Sequence, residues 1–95
     1  MLKFDFYFKP ECPFCMKVMN FMLDNSIINY RSFNIADGTA GKENKKKLEE
    51  LGGKVQVPFI VTKDGEGMYE SDDIIEYLKK NLDYYKDDHK DYIEK

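Results

Sequence analysis

Tryptophan is absent from the 95 residues, histidine occurs once, and cysteine occurs only twice. Each scarcity closes off a class of function. Two cysteines are too few for a disulfide-built scaffold. A link between Cys12 and Cys15 would close too short a loop to act as a staple. A structural zinc site within one chain would need two ligands beyond these cysteines, and His89 in the tail is the sole histidine. Positive charge is not in excess either. Fifteen Lys and Arg face eighteen Asp and Glu, for a net charge of −3, which gives no support to nucleic-acid binding, since that would want a basic face. No apolar run approaches the roughly 18 residues of a membrane span. The first residues lack the apolar stretch and small-residue cleavage site of a secretory signal. The chain is therefore expected in the cytoplasm and away from membranes. Its 42% hydrophobic and 35% charged residues are ordinary for an ordered domain. The length suits one domain across residues 1–95, with one modest core.

Hydrophobic period gives the elements. Leu2, Phe4, Phe6 and Phe8 alternate with Lys3, Asp5 and Tyr7, which predicts a strand. Lys9-Pro10-Glu11 breaks it. Phe14, Val18, Phe21 and Met22 then recur at helical steps, with Pro13 suited to the first helical position and Asp24-Asn25 at the end. Residues 27–35 read as a second strand, 37–41 as a loop, and 42–51 as a charged helix, apolar only at Leu48 and Leu51 and stopped by Gly52-Gly53. Residues 58–62 and 67–70 read as two strands around the turn 63–67. Ser71 is expected to cap a helix carrying Ile74, Ile75, Leu78 and Leu82 inward. Residues 83–95 keep weak helical spacing at Tyr85, Tyr92 and Ile93. The order β-α-β-α-β-β-α with a helical tail predicts an α/β domain. A right-handed β-α-β crossover makes a parallel pair. Residues 57–70 add an antiparallel hairpin to this mixed four-stranded sheet, with helices on both faces.

Two thiols three residues apart point to chemistry or to metal binding. Cys12 falls at a helix N-terminus, where unsatisfied N–H groups and the helix dipole favour a thiolate. Lys9 adds a cation three residues upstream. Cys15 lies one turn on, on the same side of the helix, and modest adjustment brings the pair to disulfide distance. Attack by Cys12 and resolution by Cys15 would follow.

The run Tyr7-Phe8-Lys9-Pro10-Glu11-Cys12-Pro13-Phe14-Cys15 resembles the dithiol glutaredoxin active site, whose pattern is Lys-x-x-Cys-Pro-Tyr/Phe-Cys after the first strand. Gln56-Val57-Pro58 resembles that family's Thr-Val-Pro, with Gln56 in the Thr place. Ser71-Asp72-Asp73 resembles its Cys/Ser-Asp-Asp. The similarity spans nearly the whole chain. One position departs: the family usually has Gly where this chain has Glu70, and Glu70-Ser71 looks more like the Glu-Ser of glutathione transferase N-terminal domains.

The resemblance implies a thioredoxin-like fold and glutathione as reductant, with no permanently bound cofactor. It implies Cys12 and Cys15 as catalytic residues and a cis bond before Pro58. Glutathione would contact Lys9, Phe14, Lys45, Gln56, Val57, Pro58, Ser71 and Asp72. Lys9 and Lys45 would take the glycine carboxylate, Val57 the cysteinyl backbone, Ser71 and the Asp72 N–H the γ-glutamyl carboxylate, and the Asp72 side chain the ammonium. Lys45 reads equally well as part of a solvated face, Lys45-Lys46-Lys47. The expected activity is reduction of glutathione mixed disulfides and protein disulfides by a monomer whose partners are glutathione and glutathionylated or disulfide-bonded proteins. Two alternatives stand beside it. One is a [2Fe–2S] carrier ligated by Cys12 and glutathione; the other is a thioredoxin-like electron donor that ignores glutathione.

Overall fold

The computed structural model describes residues 3–87. Leu2, His89, and the helical spacing expected at Tyr92 and Ile93 fall outside them. Strand β1 (Phe4–Phe8) leads into helix α1 (Pro13–Asp24) and strand β2 (Tyr30–Asn34). Helix α2 (Gly38–Gly52), strands β3 (Phe59–Val61) and β4 (Gly67–Tyr69), and helices α3 (Ser71–Lys80) and α4 (Leu82–Tyr85) follow. The sheet order is β2-β1-β3-β4. β1 pairs parallel with β2, Phe6 opposite Ser32, and antiparallel with β3, Phe6 opposite Ile60. β3 and β4 form the expected hairpin, Ile60 opposite Met68. This is the predicted mixed sheet.

The two faces carry separate cores. Phe4 and Phe6 pack with Val18, Met22, Ile74, Leu78 and Tyr85, beneath α1, α3 and α4. Tyr7 points the other way and packs with Ile35, Leu48 and Phe59 beneath α2. Alternation in β1 thus divides two buried faces rather than separating core from solvent. Aromatic rings fill much of both layers. Phe4 meets Tyr85 edge-on at 5.2 Å, and Phe59 packs against Tyr69 at 4.6 Å between centroids, distances at which such pairs attract beyond their buried area.

Three expectations are corrected. Residues 37–41 are not all loop, because α2 begins at Gly38. Gly41 is buried, and a Cβ there would lie 2.9 Å from the Ile35 carbonyl oxygen. Glycine is thus what lets this turn of helix approach the end of β2, and close packing outweighs its poor helix propensity. Strand β2 is shorter than residues 27–35. Ser71 is not the cap of α3 but its first residue, and buried; the N-cap is Glu70, and no side chain bonds the helix end. β4 ends at Tyr69 and α3 starts at Ser71, so one residue makes the whole turn. Glu70 makes it at φ 72°, a conformation that costs a side-chain-bearing residue of order 1–3 kcal/mol.

Candidate active site

The edge where β1 runs into α1 carries both cysteines. Cys12 is the N-cap of α1, in extended conformation, with Pro13 as the first helical residue. The Cys12 N–H donates to the Lys9 carbonyl at 3.2 Å, closing the tight turn through Pro10 and Glu11. The Cys15 N–H donates to Cys12 Sγ at 3.3 Å. A sulfur that receives a helix-end N–H is better placed to carry negative charge. Cys12 is half-buried, whereas Cys15 is fully buried. Burial pushes the Cys15 thiol up to about 12, despite a backbone hydrogen bond near Lys9 that pulls the other way. The two sulfurs are therefore unequal by environment.

That inequality has a measurable consequence. Iodoacetamide at pH 7 should label Cys12 and spare Cys15, and Cys15 labelling in the native protein should still be rising above pH 10. Equal labelling at pH 7 would refute the assignment. The linkage has a definite sign. An unfolded chain releases the Cys15 proton near the ordinary thiol value of ~8.5, while the folded chain holds it to about 12. Above the unfolded value the unfolded state binds fewer protons, so stability falls with rising pH across this window. Reduced protein should lose more stability between pH 9 and 11 than Cys15→Ala does, as read from urea midpoints.

Two clefts meet at this site, and Cys12 lines the first of them. The first, of about 420 Å³, is lined by Lys9, Cys12, Lys45 and Val55, with Ile35 and Ala36 behind. The second, of about 430 Å³, is lined by Phe14, Pro58, Glu70, Ser71 and Asp72. Gln56 and Val57 belong to both and form the ridge between them. The Val57–Pro58 bond is cis. Every residue singled out from the sequence lines one cleft or the other except Cys15, which lies beneath Cys12. Lys45 is separated from its neighbours: it faces the first cleft, while Lys46 and Lys47 border other surface hollows.

The clefts differ in charge. Lys9 and Lys45 make the first cationic, whereas Glu70 and Asp72 make the second anionic. In α3 the first backbone bond runs from Ile74 N–H to the Glu70 carbonyl at 2.9 Å. The N–H groups of Ser71, Asp72 and Asp73 thus have no partner within the helix. Gln56 Nε2 donates to Glu70 Oε2 at 3.1 Å across the mouth of the second cleft. Lys17 Nζ donates to Asp72 Oδ1 at 2.5 Å. Sequence reasoning missed both contacts, and it missed Val55, Ile35 and Ala36 as wall residues. For Lys17 a signal existed, since it stands three residues after Phe14 on one side of α1.

Among the described residues, no group of His, Cys, Asp and Glu is arranged to hold a metal ion, and no helix is long and apolar enough to cross a membrane. No curated protein matches the chain significantly. Solved structures do. A buckwheat glutaredoxin in complex with glutathione superposes with a TM-score of 0.67 at 16% identity, over 84% of this chain and 71% of its own. A thioredoxin-like protein gives 0.67 at 26% identity, over 87% of this chain and 97% of its own. An omega glutathione transferase from Trametes versicolor gives 0.67 at 20% identity; 92% of this chain covers only 37% of the transferase. The model of the glutathione S-transferase N-terminal domain matches residues 11–81, a span that runs from the Cys-Pro-Phe-Cys turn through α3. The chain thus belongs to the glutathione S-transferase N-terminal domain family and has the thioredoxin-like fold of the glutaredoxins on which it superposes.

Proposed function

We propose that this protein is a glutathione-dependent thiol–disulfide oxidoreductase of the cytoplasm, acting on glutathione mixed disulfides and on protein disulfides. The observation that carries this reading is that Cys12 lines a cationic cleft, which shares the Gln56–Val57 ridge with an anionic one. Glutathione has a carboxylate at its glycine end and both a carboxylate and an ammonium at its γ-glutamyl end. With its sulfur at Cys12, its glycine end would lie toward Lys9 and Lys45. Val57 would exchange backbone hydrogen bonds with the cysteinyl part, beside Gln56, Pro58 and the exposed Phe14 ring. The γ-glutamyl carboxylate would accept from Ser71 and the free N–H groups of α3, and its ammonium would face Asp72 and Glu70.

The chemistry is thiol–disulfide exchange. The Cys12 thiolate attacks the glutathione sulfur, the substrate thiolate leaves and takes a proton, and Cys12 holds glutathione as a mixed disulfide. A second glutathione thiolate attacks the glutathione sulfur of that bond, which releases glutathione disulfide and the Cys12 thiolate. On a protein disulfide, the Cys12 thiolate attacks one sulfur, the protein S–S bond breaks, the other sulfur leaves as a thiolate and takes a proton, and Cys12 is left bonded to the protein. Cys15 then attacks Cys12, gives up its proton as the protein thiolate takes one, and leaves the Cys12–Cys15 disulfide, which two glutathione thiols reduce in turn with release of glutathione disulfide. Burial suits Cys15 to this later step, because a sulfur held as a thiol does not compete for substrate.

The test is reduction of a glutathionylated peptide by the purified protein, coupled through glutathione reductase to NADPH. Turnover with glutathione is expected. The 26% identity to a thioredoxin-like protein that this chain nearly covers favours one second reading, an electron donor independent of glutathione. Turnover with thioredoxin reductase alone would establish that reading and refute the first.

A further inference from the structure

We propose that Lys17 is a specificity residue of the anionic cleft, the counter-charge for the α-carboxylate of a bound γ-glutamyl group. This rests on the function proposed above and names a residue that the motifs do not contain. Two carboxylates, Glu70 and Asp72, line the second cleft, and no Lys or Arg does. A ligand that brings its own carboxylate to the start of α3 therefore meets like charge at close range. The free N–H groups there offset part of this. Lys17 offsets the rest, because its Nζ already stands 2.5 Å from Asp72 Oδ1. Lys17 comes from α1 on the same side as Phe14, which walls the same cleft. Both partners of the pair are largely exposed, at 53% and 81% of their side chains. They are therefore free to re-pair, and such a pair adds little to stability by itself.

Ligand entry exchanges the partners. The ligand ammonium takes the Asp72 carboxylate, and Lys17 Nζ turns from Asp72 to the ligand carboxylate beside it. One ion pair in the free protein becomes two in the complex. The cleft then prefers a zwitterionic end group over one that carries an ammonium alone.

The test compares two substrates on wild type, Lys17→Ala and Lys17→Arg. One is the mixed disulfide of glutathione with a small thiol. The other is the same disulfide with a 4-aminobutanoyl group in place of the γ-glutamyl group, so that only the α-carboxylate is lost. Lys17→Ala should raise KM about threefold to tenfold for the first substrate and less than twofold for the second, and Lys17→Arg should restore the first. An equal rise for both substrates would make Lys17 a mere positioning partner of Asp72 and overturn the proposal. An unchanged KM for the first would make it a solvated charge, with the same result. Equal wild-type KM values for the two substrates would instead remove the γ-glutamyl subsite, and the proposed function would fall along with Lys17.

Discussion

Cys12→Ser is expected to abolish reduction of both glutathionylated and protein disulfides, whereas Cys15→Ser should lose only the second. A serine hydroxyl cannot form the mixed disulfide, so loss at Cys12 should reach roughly a thousandfold or more, as for removal of other covalent nucleophiles. The route through glutathione needs one protein thiol. Cys15, fully buried below Cys12, takes no part in it and drains the enzyme into an internal disulfide. Its removal should therefore leave activity on a glutathionylated peptide intact or higher. A protein disulfide has no second glutathione poised to release it, so Cys15→Ser should stall as a trapped Cys12–substrate adduct, visible by mass spectrometry. The measurement is a pair of single variants on both substrates. Equal losses from the two variants on the glutathionylated peptide would show that Cys15 is obligatory there, as in a thioredoxin.

The largest effect on stability is expected from Phe59→Ala. The Phe59 ring is fully buried, 5.8 Å from Tyr7 and 4.6 Å from Tyr69 between centroids. It is also enclosed by two glycines: a Cβ at Gly52 would come within 2.9 Å of the ring and one at Gly67 within 2.6 Å. The surroundings are fixed backbone and aromatic rings, which collapse poorly into a void. A buried Phe→Ala change costs about 3–5 kcal/mol, against a total of roughly 5–14 kcal/mol for a domain of this length. With a urea slope of ~1–3 kcal/mol/M, the midpoint should fall by at least about 1 M. Because Phe59 directly follows Val57 and Pro58, which line the clefts, glutathione affinity should weaken as well. A midpoint shift below about 0.3 M would mean that α2 closes over the gap, contrary to this packing.

Much of this was legible along the chain, where one element's period or one turn's chemistry decided the matter. β1 follows from Phe4, Phe6 and Phe8, and α1 from Pro13 and its apolar steps. The three segments around Cys12, Val57 and Ser71 point to the two clefts because each motif is local. What stayed hidden depends on contacts between distant segments. Gly38 and Gly41 look like helix breakers in isolation, and only the approach of α2 to the Ile35 carbonyl shows why a glycine sits inside a helix. Ser71 has the composition of a cap, but the one-residue junction moves that place to Glu70. Lys17 and Asp72 are 55 residues apart; helical spacing puts Lys17 on the Phe14 side of α1, but nothing along the chain brings that side to Asp72. Lys45 cannot be told from its two neighbours along the chain, and only the turn of α2 shows that it faces the first cleft.

The sheet order also governs how the site comes into being during synthesis. β1 lies between β2, which follows it directly, and β3, which belongs to the other half of the chain. Val57 follows Cys12 by 45 residues, a lag of about 2–9 s at ~5–20 residues per second. Through that interval the nascent chain holds both thiols but not the ridge between the clefts, and β1 has an open edge where β3 will pair. The last segments to arrive are thus the ones that turn a pair of unguarded thiols into a selective one.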